Sequence, residues 1–102
     1  MIDLTKISRE FRSWRPCPFR TGASYHVLQD FRSTDELFGG TAPVVRAGQV
    51  MAFEFESWSR YDGETFYLFR DHSGQIYVWG LPDEDDLDGW RQFFQEETND
   101  GR

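Results

Sequence analysis

Cysteine is nearly absent: Cys17 stands alone in 102 residues. One thiol forms no internal disulfide and supplies a single ligand of the four a structural zinc takes, so neither staple is expected to hold the fold. Long apolar runs are missing as well. No stretch approaches the roughly 18 apolar residues of a membrane-spanning helix. Residues 1–10 carry no apolar centre of the secretory kind, so a cytoplasmic protein with no membrane partner is expected. Positive charge is scarce, with 11 Lys+Arg against 18 Asp+Glu and a net charge of −7. That deficit disfavours duplex nucleic acid as a partner, because phosphates repel a net acidic surface. What the chain has in quantity is rings: 18 % of its residues are aromatic, which gives a short chain much surface to bury.

The length is that of one domain, expected to span 1–102 with three parts: a basic N-terminal extension over 1–20, a β core over 21–81 and an acidic helix over 82–102. The outer parts differ in charge, net +3 over 1–20 and net −6 over 83–102, so the two ends attract each other. Leu4, Ile7, Phe11 and Trp14 are spaced 3, 4 and 3 apart, one stripe of a helix over about 3–13 that Pro16 and Pro18 terminate. Residues 23–31 read as a strand, and 32–48 as a long connection with Val44-Val45 a short strand edge. The strongest pattern is three β-rich runs, 49–58, 64–71 and 75–81, separated by Asp62-Gly63 and Ser73-Gly74. Asp-Gly suits a two-residue hairpin turn, whose central residues need positive φ. Together these predict an antiparallel meander. Beyond Pro82, Leu87, Trp90 and Phe94 keep a helical rhythm behind an acidic start, predicting a helix over 83–97 that Gly89 weakens.

Counting outward from two-residue turns places Trp58 opposite Tyr67, Glu56 opposite Phe69 and Leu68 opposite Trp79. Alternation then puts Phe53, Phe55, Phe66, Leu68, Trp79 and Leu81 on a core face. Glu54, Glu56, Trp58, Tyr67, Phe69, Ile76 and Val78 fall on the other, which mixes acids with large rings. Left wet, that face would be a large apolar patch. It is either covered by a terminal helix or a surface for a partner, and a one-residue slip would reverse a whole strand.

Gly22, Tyr25 and Val27, then Asp30-Phe31, Gly48 with Phe53, Tyr61-Asp62-Gly63 and Leu68-Phe69 follow one another in an order that resembles a family of short uncharacterised bacterial proteins. The resemblance covers about 60 residues, from Phe19 to Leu81. It implies an SH3-like small β-barrel and carries no activity or catalytic residues with it. The fold class expected is therefore mainly β, a small SH3-like barrel or antiparallel meander with short terminal helices.

Candidate chemistry is thin. With Gly89 at position six of a calcium loop, Glu84, Asp86 and Asp88 take the first ligand places, but Gln95 stands where a bidentate Glu belongs and Arg91 where an apolar residue does. An acidic helix start explains the same residues. Neither His26 nor His72 is near Cys17 in sequence, as a nucleophile pair would ask. Phe11, Trp14 and Phe19 among arginines offer stacking for single-stranded nucleic acid, against the net charge. No cofactor is expected. The function expected is a non-enzymatic protein-interaction domain, an acidic inhibitor or immunity-type protein meeting a basic protein surface through complementary potential. Glu54, Glu56, Trp58, Tyr67 and Phe69 form its contact face, with Asp83, Glu84, Asp85, Asp86 and Asp88 in electrostatic support. The alternatives are a small enzyme or metal-binding module on the acidic cluster, and a homodimer.

Overall fold

Runs of β-branched and aromatic side chains favour extended backbone, and the computed structural model, which describes residues 14–33, 42–59 and 63–97, is mainly antiparallel β. Its elements are β1 (Ser24–Val27), β2 (Phe31–Arg32), β3 (Val44–Val45), β4 (Val50–Ser59), β5 (Glu64–Arg70), β6 (Ile76–Pro82), a 3₁₀ turn η1 (Leu87–Gln92) and β7 (Phe94–Glu96). Five strands form one sheet in the order β6-β5-β4-β1-β7, and β2 pairs with β3 in a second. The meander is present as β4-β5-β6. The strand expected over 23–31 is broken into β1 and β2, with Leu28 exposed between them. The helix expected over 3–13, and Tyr61 and Asp62 of the first turn, lie outside the described residues.

Both hairpin registers differ from the two-residue count. In β5-β6, Arg70 faces Ile76, so residues 71–75 form the connection and Leu68 faces Val78 rather than Trp79. The cause is Asp71. One oxygen of its carboxylate accepts from the Ser73 amide, the Ser73 hydroxyl and the Gln75 amide at 2.9, 2.7 and 3.0 Å, an Asx-type turn that outcompetes the tighter one. Gly74 supplies its positive φ of 88°. In β4-β5, Ser59 faces Glu64, so Trp58 meets Thr65 and Glu56 meets Tyr67. A bulge between Phe53 and Phe55 then shifts the pairing again, and the extra residue sends these two rings, which an unbroken strand would put on one face, to opposite faces.

These shifts re-sort the faces. Phe53, Tyr67, Phe69, Tyr77, Trp79 and Leu81 gather on one side with Tyr25, Val27, Val45, Met51 and Phe94. Phe55, Phe66, Leu68, Ile76 and Val78 gather on the other. Both clusters are buried, so the expected sorting of residues between the two faces is corrected, and the face left open between terminal cover and partner surface is not exposed. At the centre of the first cluster is Phe19, whose ring lies 5.0–6.2 Å from those of Tyr25, Phe53, Tyr67, Phe69, Trp79, Trp90 and Phe94.

The helix expected over 83–97 is also corrected. Leu87–Gln92 makes a 3₁₀ turn capped by Asp86, and the chain then extends as β7 along β1. Phe94 decides this. Its ring stacks on Phe69 at 4.6 Å and 12° while Leu28 and Glu97 amides bond to Phe93 and Ser24 carbonyls, and a strand satisfies the β1 edge as a helix cannot.

Candidate functional site

Tyr67 and Phe69 are fully buried, at 0 % exposure, which removes both from any contact face. Burial, with the charges of Glu56 and Cys17 next in weight, pushes the Tyr67 phenol far above the ordinary tyrosine range. Trp58 is half-buried, and its indole N–H donates to both oxygens of Asp83 at 3.2 and 3.1 Å. It is a brace between β4 and the loop after β6 rather than an open anchor. Glu54 is paired with Arg70 at 3.3 Å.

The expected site residues therefore divide into two places. Glu54 and Glu56 line a cleft of about 290 Å³ with Cys17, Thr21 and the rings of Phe19, Phe53 and Phe55. The Cys17 thiol donates to the Phe19 carbonyl at 3.3 Å. Neither histidine lines this cleft: His26 pairs with Glu97 across the β1–β7 edge, and His72 lies in the exposed β5-β6 turn. Among the described residues no three His, Cys, Asp or Glu side chains are grouped to hold a metal ion, and Gln95, the twelfth position of the calcium template, lies on β7 opposite His26. No helix among the described residues is long and apolar enough to cross a membrane.

The second place is the loop from Pro82 into η1. Asp83 is partly covered, whereas Glu84, Asp85, Asp86 and Asp88 are exposed. Asp86 accepts the Asp88 amide at 3.0 Å as the cap of η1, and Asp88 lies 3.8 Å from Arg91. Behind the loop is Arg15, 8 % exposed, donating to the Asp85 carbonyl at 2.7 Å and the Pro82 carbonyl at 3.3 Å, with Asp83 at 3.9 Å. Arg20 pairs with Glu96 at the other terminal junction. The opposite charges of the two ends are thus used within the molecule.

Sequence reasoning named Trp14 in a helical stripe and as a ring for single-stranded nucleic acid, but left it out of the contact face. Its position in a helical stripe assigned it to packing, yet the ring is 66 % exposed and lies 5.3 Å from the guanidinium carbon of Arg15. Pro16 was the available signal, since it ends the helical stripe and pushes Arg15, the residue before it, toward extended backbone. The exposed tryptophan thus lies next to the guanidinium that donates to the backbone of the acidic loop. Comparison with known proteins adds no relative: no family model, no curated protein and no solved structure matches this chain.

Proposed function

We propose that this chain is a non-enzymatic protein-interaction domain, of the inhibitor or immunity type, whose acidic loop over 83–88 meets a basic surface of a partner protein. The observation that carries this is the exposed Trp14, whose ring lies against the Arg15 guanidinium that donates to the Asp85 and Pro82 carbonyls of the loop bearing the exposed acids. Aromatic anchors supply much of the energy of protein interfaces, and complementary charge speeds and orients the encounter. A net charge of −7 acts in the same direction. The expected contact face is relocated accordingly: Trp58 and Asp83 brace it, Glu84, Asp85, Asp86 and Asp88 present it, and Tyr67 and Phe69 leave it. We take the scaffold to be an SH3-like small barrel, its bend supplied by the β4 bulge. The cytoplasm, where a lone thiol stays reduced, is its place in this proposal.

The test is capture from the native host on the immobilised full chain, run in parallel with Trp14→Ala and with a Glu84→Gln/Asp85→Asn/Asp86→Asn variant. A partner held by the wild type, released by salt and lost from the charge-neutral variant supports the proposal. Trp14→Ala should weaken that partner by about 2 kcal/mol. The same proteins retained by all three chains would overturn it, as would an apparent mass that rises with concentration through this loop.

A further inference from the structure

Between the acidic loop and the outer strand β6 lies a notch of about 380 Å³, lined by Trp79, Gly80, Leu81, Asp85, Asp86 and Phe93 among others. We infer that it receives an arginine side chain from an extended basic segment of the partner. This rests on the acidic-loop docking proposed above and names the group recognised there. Its walls have two chemistries. Its lining includes the aromatic Phe93 and Trp79, the latter held in place because it packs on Tyr67, Phe93 and Phe94 at 5.6–5.8 Å. It also includes the acids Asp85 and Asp86, and among the described residues no lysine or arginine lines the notch.

A guanidinium fits both walls at once. It is planar and weakly hydrated, so it stacks on a ring, and its fork of N–H donors matches carboxylate oxygens. A lysine ammonium satisfies the acids but keeps its water and gains less from the rings. The loop is also built beforehand. Its backbone is held from behind, where Arg15 donates to the Asp85 and Pro82 carbonyls, and the Asp85 amide bonds to the Pro82 carbonyl at 3.0 Å. Asp86 is fixed by capping η1. Little ordering is then left to oppose binding. The lining includes β6 at Gly80, and β6 is the last strand of its sheet, its outer edge held at Val78 by Ser33.

The probe is the capped peptide acetyl-Gly-Arg-Gly-Arg-Gly-amide, titrated into the full-length chain at low salt beside its lysine counterpart, with amide and indole resonances followed by NMR. The arginine peptide should move the Trp79 indole and the Gly80 and Gly89 amides, and should bind about threefold or more tighter than the lysine peptide. Asp85→Asn/Asp86→Asn should weaken it about tenfold, and asparagine at 86 keeps the helix cap, so the fold survives. Phe93→Leu, which keeps apolar bulk, should abolish the preference for arginine while binding of both peptides persists. Resonances that stay still, equal response to the two peptides, or undiminished binding after loss of both carboxylates would each overturn the inference. A silent notch beside a partner still captured through the acids ends the arginine site alone; capture indifferent to the acids ends the docking surface itself.

Discussion

Phe19 shows how much one side chain can organise in a small aromatic domain. It is 4 % exposed and touches rings from β1, β4, β5, β6, η1 and β7. Edge-to-face ring pairs add to the area buried, and the surrounding rings cannot all move inward to fill its place. Phe19→Ala should therefore cost about 3–5 kcal/mol, read as a fall in urea midpoint at constant slope; a loss under about 1 kcal/mol would show the cavity collapses. Arg15 is the polar counterpart. Replacing it with methionine keeps the stem's packing but removes the donors to two carbonyls, at a cost of about 2 kcal/mol. Lysine should recover only part of this, since a single ammonium cannot present the same fork. Full recovery by lysine would mean that charge near Asp83, and not the two directed hydrogen bonds, holds the loop.

Among elements, β6 is the one whose surroundings the sequence left obscure. Its strand character was legible, as was that of β4 and β5, because aromatic and β-branched residues crowd between turn signals. Its register was not. Asp71 looks like any turn acid until its carboxylate is seen to gather three donors, and the resulting five-residue connection turns Trp79 toward Tyr67 and Val78 away. The β4 bulge at Glu54 leaves no sequence mark either, and β7 was hidden because Phe94 continues a helical spacing while serving a strand. The candidate site suffered from the same causes: the acids were legible as charge, whereas Trp14 and the burial of Tyr67 and Phe69 depended on register and on a proline-broken segment. Ser33 guards the free side of β6. It is 1 % exposed, its hydroxyl accepting from the Val78 amide at 2.6 Å and donating to the Val78 carbonyl at 3.1 Å. An unpaired strand edge invites other strands, and here one side chain occupies both groups. Ser33→Ala leaves a buried donor and acceptor without that partner and should cost about 2 kcal/mol. Hydrogen exchange at the Val78 amide should accelerate in the same variant; unchanged protection would show that the edge is held by its neighbours.

At the scale of the whole molecule, the links that close the fold are titratable, and their directions agree. The Arg20 guanidinium holds the Glu96 carboxyl below its usual range, joining the segment before β1 to β7. The Ala47 amide and then Arg46 do the same for Asp30, joining the end of β1 to the turn after β3. At Asp71, burial pushes upward, but the Ser73 hydroxyl and the Gln75 amide outweigh it and the carboxyl again ends low. A carboxyl whose folded pKa is depressed adds stability above its unfolded value, and that stability is lost as pH falls through the folded value. The tyrosines work in the opposite sense. Burial raises Tyr25, Tyr67 and Tyr77, for Tyr77 with help from Asp71, so their contribution is complete below the unfolded phenol value and is lost as pH rises through the folded one. Self-repulsion of an acidic chain adds to the alkaline loss. Stability measured by urea titration should thus be flat between roughly pH 5 and 9 and fall below about pH 4 and above about pH 10. Tyr25→Phe loses the hydroxyl that accepts from the Arg20 amide and donates to Glu96, so it should lower the plateau, yet its alkaline limb should be shallower because one buried phenol no longer has to ionise. An alkaline limb as steep as the wild type's would assign that loss to Tyr67 and Tyr77, and an acid limb that stays level would show that the carboxylate links do not hold the fold together.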